Sequence, residues 1–476
     1  MPLFHCAVWD ASIQSPSLPD LSTTQTVIAC STNKKRRVTV HTYDAVVIGA
    51  GLAGLSAARD LSAAGADVLV LEARARAGGR VEQTTTADGR LIQLGGEVIA
   101  DFHTSYRQLV AELGLTIVPS FTDIAGDSTW LMREGVFHGE DMPWMSDKDR
   151  AVYERIDKAF AALAASVNPD DPWSHPDAVD LDKLSFGEWL RSEGATSDVL
   201  RAMECRAFGL AEDSIERRSL LADLRKEAAA GANGFYDYDV WESSKVLEGS
   251  ATVALVMADQ LGHRIRYSTP IQSIDIHPAR SRVQAVSGEQ FFARHVVSAI
   301  PVGPLRDVTI TGVSSARLNS LHRQQHAPTV KYVPVYESSF WEGQDQNGTG
   351  YFESSILGGT WVQNDGVLSA LVPVDRLGAY FALPPHRRVA VLREELVNAF
   401  GPSADTPQDE YIRNWGTDPW TQGYITSWRP GELTAIGPLH GSHEPPFWIV
   451  GSDQWVCGYM EGAVRTGRHA AEAILA

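Results

Sequence analysis

Tyr43-Asp44-Ala45-Val46-Val47-Ile48-Gly49-Ala50-Gly51-Leu52-Ala53-Gly54 decides the fold of this chain. An apolar strand, Tyr43–Ile48, runs directly into G-x-G-x-x-G, and an Ala-rich helix follows to about Ala64, stopped by Gly65. A second apolar strand, Val68–Leu71, ends in Glu72. This is a βαβ unit, the mark of a parallel sheet. Gly49 permits the tight turn, Gly51 lets a pyrophosphate approach the backbone, and Gly54 lets the helix lie close on the sheet. The helix N-terminus offers unpaired N–H groups and a partial positive charge to phosphate. Glu72 is placed to accept hydrogen bonds from both hydroxyls of an adenosine ribose. A Gly-rich hexapeptide alone is weak evidence, and Glu72 alone could be a surface carboxylate. The strand–turn–helix–strand frame that joins them favours a dinucleotide site.

Outward from this unit, a second strand-rich stretch runs from 264 through 274 to 295–300, closed by Pro301. A third ends the chain, with a strand at 447–450, a loop at 451–458 and a helix at Tyr459–Leu475. Between them, 120–244 is mainly helical in pattern, while 321–416 mixes strands, Gly-rich turns and one clear helix at about 387–400. The expectation is a nucleotide domain assembled from 43–119, 245–320 and 417–476, with a substrate-binding domain built from 120–244 and 321–416. Residues 1–42, rich in Ser, Thr and Pro, read as a loosely ordered N-terminal extension.

With 59 acidic residues against 41 Lys plus Arg, the formal charge of −18 repels nucleic acid and anionic membranes and favours cationic ligands. Cys6, Cys30, Cys205 and Cys457 are scattered without a C-x-x-C pair, so neither a metal cluster nor a disulfide framework is expected. No apolar run reaches the roughly 18 to 20 residues that span a bilayer, and no signal peptide is legible. A cytoplasmic setting is the expectation.

The segment after Glu72 carries a resemblance. Glu72-Ala73-Arg74-Ala75-Arg76-Ala77-Gly78-Gly79-Arg80 resembles the Glu-x-Arg-x-x-x-Gly-Gly-Arg run of the flavin-containing amine oxidases. The resemblance extends over most of 43–476. It implies noncovalent FAD in a Rossmann-like domain of the GR2 type with an inserted α+β domain, an α/β fold overall. By it, Arg74, Gly79 and Arg80 follow the cofactor, Gly95 and Gly96 of Leu94-Gly95-Gly96-Glu97 lie beside the ring, and Ile271 of Thr269-Pro270-Ile271 belongs to the strand that holds the adenine. Val297-Ser298-Ala299-Ile300-Pro301 matches a further family strand end, and Trp415 belongs to the segment that lines the flavin. Asp453 and Met460 belong to the C-terminal cofactor segment, where this chain has Gly451-Ser452-Asp453 in place of the more frequent Gly-Thr-Glu, a variant similar to the hydroxynicotine oxidases. Gly423 stands where covalently flavinylated members have Cys.

The same resemblance gives the chemistry. A lysine inside the apolar stretch Thr329-Val330-Lys331-Tyr332 is costly to bury without a partner. The matching family lysine holds a water against flavin N5, a role that implies Lys331 as catalytic; a snorkelling lysine is the alternative. Tyr424 and Tyr459 match the two tyrosines of an aromatic cage that orients the amine, against the plainer reading of two core tyrosines. Glu97 is a candidate for attracting the substrate or a satisfied buried acid, and Arg206 and Phe208 in Met203-Glu204-Cys205-Arg206-Ala207-Phe208 are candidate pocket residues. The expected reaction is hydride transfer from the amine α-carbon to flavin N5, with O2 reoxidation to H2O2. The partners are a small-molecule amine and O2, and a homodimer is a possible assembly. L-amino acid oxidases of this superfamily carry an Arg after the Gly-Gly segment; here Glu97-Val98-Ile99-Ala100 follows, which favours an amine without a carboxylate. The alternatives are a same-fold oxidase of an L-amino acid, a desaturating or cyclising flavoenzyme, and a noncatalytic FAD-binding scaffold.

Overall fold

A computed structural model of the protein describes residues 41–210 and 212–476. The extension expected at 1–42 lies outside the described residues except for His41 and Thr42, as do Cys6 and Cys30. The described chain is organised by two sheets. The first has eight strands. Tyr43–Ile48 pairs in parallel with Val68–Leu71 on one side and with Gln290–Ser298 on the other, and Val68–Leu71 pairs in parallel with Ile265–Arg266. Gln290–Ser298 is long enough to take two neighbours on its far side: Ser281–Ala285, antiparallel, beside its first half, and Phe447–Ile449, parallel, beside its second. Ser298 is thereby in register with both Ile48 and Ile449.

The run of apolar residues in these strands follows from burial on both faces. Ala45, Val47, Val68 and Val70 point into one core, with the helices Leu52–Ala63, Ser250–Leu261 and Tyr459–Leu475. Val46, Ile48, Leu69 and Leu71 point into the other, with Ile274, Val283 and Phe447. Each such Val, Leu or Ile side chain contributes about 1.5–3 kcal/mol by leaving water. The first and last helices touch where Gly467 meets Ala53: a Cβ on Gly467 would lie 2.3 Å from the Ala53 carbonyl oxygen, so only glycine allows the approach.

The second sheet has seven strands in the order Asp409–Asn414, Val330–Val335, Val367–Val372, Gly359–Asn364, Gln346–Phe352, Asp127–Met132, Gly135–His138. The helices Asp147–Ala164, Ser197–Gly209 and Leu220–Ala229 pack against one another and the sheet over a core that includes Trp130, Ile156, Phe160 and Leu224. The region 120–244 is thus mainly helical, but it opens with a hairpin at 127–138 that belongs to the sheet.

Candidate active site

A cavity of about 450 Å³ runs from the glycine turn, past the edge of the first sheet, to the second sheet. At its nucleotide end, Gly49 adopts φ +107° and its N–H donates to the Leu71 carbonyl at 2.8 Å. A Cβ on Gly54 would lie 2.0 Å from the Gly49 carbonyl oxygen, so the close helix approach needs glycine there. Gly51 begins the helix with no side-chain cap, leaving first-turn N–H groups to an outside acceptor. Gly51 and Gly79 face each other across a strip of bare backbone, where a Cβ on Gly51 would stand 3.8 Å from the Gly79 Cα. An uncapped helix N-terminus beside a groove without side chains fits a pyrophosphate. Glu72 is 4% exposed, and its two oxygens accept the backbone N–H groups of Ala50 at 2.7 Å and Arg74 at 2.8 Å. The carboxylate therefore also pins the turn. Arg74 reaches Asp418 at 2.6 Å, which Arg413 shares at 2.6 Å. Ile271 lines the same end of the cavity.

In the middle, Arg80 joins three groups: Asp453 at 2.7 Å, the Ser452 hydroxyl at 2.8 Å and the Tyr424 carbonyl at 3.0 Å. Burial pushes the Asp453 carboxyl up, but the Arg80 guanidinium and His326, at 3.1 Å, together hold it well below the usual range. Asp453 also accepts the Val302 N–H at 3.2 Å. Met460 packs on Gly96, where a Cβ would lie 3.6 Å from the sulfur.

At the far end, Lys331 Nζ donates to a Glu97 oxygen at 3.1 Å and to the Gly95 carbonyl at 3.2 Å, and lies 5.0 Å from the centre of the Trp361 ring. Burial pulls the Lys331 amine below its ordinary value, opposed by Glu97. Trp415 donates its indole N–H to the Leu94 carbonyl at 2.9 Å and is stacked by Arg413, 4.2 Å from its ring centre. Tyr424 and Tyr459 both line this chamber. The Tyr424 hydroxyl donates to the Leu210 carbonyl at 2.6 Å, and that of Tyr459 lies 2.7 Å from the Tyr236 hydroxyl. Tyr459 starts the last helix at φ +56°, a conformation unusual for a bulky residue and sustained by its packing on His103 and Trp241. Burial raises both phenols well above their ordinary value, so they are protonated donors.

Two sequence expectations are corrected. Arg206 and Phe208 do not line the cavity; Gly209, the last residue of the helix, and Leu210, which caps it, do. The Arg206 guanidinium is turned to the Tyr236 carbonyl at 2.7 Å, and the Phe208 ring is covered by Arg376, whose guanidinium carbon is 4.3 Å from its centre. Conversely, Glu242, Lys226, Glu212 and Trp361 line the chamber unforeseen. The only sequence signal for Glu242 is the aromatic run that precedes it, Phe235-Tyr236-Asp237-Tyr238.

Among the described residues, no helix is long and apolar enough to cross a membrane, and no group of His, Cys, Asp and Glu could hold a metal ion. The sequence model of the flavin containing amine oxidoreductase family matches residues 52–475. The putrescine oxidase of Kocuria rosea is 30% identical over 468 residues, covering 91% of this chain and 95% of its own. An L-amino acid dehydrogenase of Synechocystis is 26% identical over 462 residues, covering 91% and 94%. Among solved structures, the cyclohexylamine oxidase of Brevibacterium oxydans superposes with a TM-score of 0.83 at 26% identity, covering 91% of this chain and 99% of that one. With the cofactor cradle, the enclosed lysine and the two phenols in one continuous cavity, this chain belongs to the flavin-containing amine oxidoreductase family and is an FAD-dependent enzyme of the Rossmann-like fold that family shares.

Proposed function

We propose that the protein is an amine oxidase acting on small amines without a carboxylate, with noncovalently held FAD. The observation that carries this is the state of the cations around the cavity. Lys331 is committed to Glu97, Arg80 to Asp453, Lys226 to Glu212, and Arg218 to Glu212 and Asp223, while Arg206 faces elsewhere. Among the described residues a substrate carboxylate would find no unpaired basic partner on the cavity, whereas a positively charged amine meets a chamber with more acids than cations.

In this reading Gly49, Gly51, Gly54, Gly79, Glu72, Arg74 and Ile271 hold the nucleotide, and Arg80, Gly95, Gly96, Trp415, Asp453 and Met460 hold the flavin portion. Bound there, FAD would supply two-electron oxidation of the amine to an imine, with O2 as the final acceptor and H2O2 as the by-product. Lys331, fixed between Glu97 and Gly95, holds a water in place at the ring. Tyr424 and Tyr459 present their faces to the amine and keep it in line for reaction. The aromatic walls supplied by Trp361, Trp415 and Trp428 exclude bulk water. Gly423 at φ +147° offers no thiol beside Tyr424. Cys457 lines the cavity, but burial pushes its thiol up and keeps it protonated and unreactive.

The test is anaerobic titration of the flavin-loaded protein with a panel of primary and secondary amines and, in parallel, of L-amino acids, followed by admission of oxygen and a peroxide assay. Bleaching by amines with peroxide on aeration is expected. Bleaching by amino acids alone would replace this reading with amino-acid oxidation, and no bleaching by either panel would leave a cofactor-binding scaffold.

A further inference from the structure

The carboxylates that line the chamber nearly all face a cation. Glu97 meets Lys331 at 3.1 Å, Glu212 meets Lys226 at 2.8 Å, Asp213 meets Arg217 at 2.6 Å, Asp223 meets Arg218 at 3.0 Å, and Asp453 meets Arg80 at 2.7 Å. Glu242 is different. One of its oxygens accepts the hydroxyls of Tyr236 at 2.6 Å and Tyr459 at 3.4 Å, and no cation among the described residues lies within 4.0 Å. The other receives no hydrogen bond from a described residue, and Glu242 is among the residues that line the cavity. That leaves it an acceptor turned to the cavity, in contact with the phenol network of the proposed cage.

An aliphatic amine arrives as an ammonium ion, since its proton leaves only near pH 10. Its α-carbon cannot release a hydride until the nitrogen has a free electron pair. Burying an ammonium ion beside a carboxylate that has no other counter-ion favours the neutral pair of amine and acid. We propose that Glu242 is the catalytic base that takes this proton from the bound substrate, a role that rests on the amine-oxidase reading. One N–H bond of the ammonium breaks, its electron pair stays on nitrogen, and the proton forms an O–H bond on the free Glu242 oxygen. The charged pair becomes a neutral amine and a carboxylic acid, and the acid returns its proton to water when the cavity next opens. The hydroxyls of Tyr236 and Tyr459 fix the acceptor's orientation.

The surroundings suit the task. Burial, countered by the Tyr236 hydroxyl and Lys226 and reinforced by Glu97, pushes the Glu242 carboxyl up to about 7, near the range in which a base works best at neutral pH. The other groups that face it are Lys331, held by Glu97, and the protonated phenols of Tyr238, Tyr351 and Tyr424. Lys226 lies 4.7 Å from the Tyr236 ring centre and 5.0 Å from that of Trp241, and its charge is held by Glu212.

Two measurements on flavin-loaded protein test this. The first is infrared difference spectroscopy with 2-phenylpropan-2-amine, which has no α hydrogen and cannot be oxidised, buffered well above the Glu242 value. A carbonyl band of a carboxylic acid should appear on binding and be missing in Glu242→Gln. No band in the wild type, or a band that survives in Glu242→Gln, overturns the proposal. Because this readout needs no turnover, it stands apart from failure of the amine-oxidase reading, which would be seen as the absence of bleaching. The second is the pH profile of anaerobic flavin reduction. Glu242→Gln keeps an acceptor for both phenols, so its flavin absorbance should match wild type. Its reduction should be slower by about 10²-fold at neutral pH, with the gap closing as solvent delivers neutral amine at high pH. A deficit equal at every pH would assign Glu242 a positioning role and overturn its role as base.

Discussion

Lys331 Nζ stands 3.1 Å from a Glu97 oxygen, with each side chain only 3% exposed. The second Glu97 oxygen is buried without a hydrogen-bond partner. The pair is therefore intolerant of the loss of one member. Lys331→Met leaves a buried carboxylate alone, and a loss of stability of about 3–5 kcal/mol is expected in urea unfolding. The double variant Lys331→Met/Glu97→Gln should recover much of it. Under the proposed function both variants should show slower flavin reduction or reoxidation, so stability would be rescued without activity.

The second and third glycines of the motif, Gly51 and Gly54, should fail in different ways. A Cβ at Gly54 collides with the Gly49 carbonyl at 2.0 Å, whereas one at Gly51 meets nothing closer than 3.8 Å, and the Gly51 φ of −80° suits alanine. Gly54→Ala should give little folded protein. Gly51→Ala should fold, with a far-ultraviolet spectrum like wild type, but bind FAD at least tenfold more weakly, because its methyl occupies the groove meant for phosphate.

Acid stability should depend on Asp453. Its folded value lies below its unfolded one, so its contribution is complete above the ordinary carboxylate value of about 4 and is lost as pH falls through the folded value. Asp453→Asn should be less stable at neutral pH, by about 1.5–3 kcal/mol, because the half-buried Arg80 loses its carboxylate and keeps only the Ser452 hydroxyl and the Tyr424 carbonyl. The difference should narrow on acidification below pH of about 4. A constant difference at all pH values would show that Asp453 is not the titrating group.

The Tyr459 phenol can be divided into ring and hydroxyl. Tyr459→Phe keeps the stacking on Trp241 but removes the links to Tyr236 and Glu242. Flavin content should be unchanged and kcat for an amine reduced several-fold. Tyr459→Ala should lose far more, because the wall itself is gone.

Noncovalent attachment predicts that acid precipitation of the yellow protein leaves the flavin in the supernatant. Colour retained in the pellet would point to a covalent link, for which Cys457 is the described cysteine on the cavity.

Much of the nucleotide end was legible because its determinants are local. The strands Tyr43–Ile48 and Val68–Leu71 and the helix Tyr459–Leu475 have the bounds read from apolar patterning. Lys331 stood out as a charge within an apolar strand. The hairpin at 127–138 did not, because its place is set by parallel pairing with Gln346–Phe352, more than two hundred residues away. Arg206 was misplaced because the cavity is met only at the end of its helix, at Gly209 and Leu210. Glu242 acquires meaning only through Tyr236 and Tyr459, and nothing in its own neighbourhood in the chain announces a base.

The register of Ser298 with both Ile48 and Ile449 governs the order of events in biosynthesis. The glycine turn leaves the ribosome well before the strand Phe447–Ile449 that flanks Gln290–Ser298 and the helix that covers Ala53, some four hundred residues further along the chain. A nascent chain holds a half-walled groove with an unpaired β-edge, open to association with other chains. Firm coenzyme capture is therefore expected only after those segments have joined the sheet, and depletion of riboflavin should leave apoprotein that contains them rather than stalled, partly built chains.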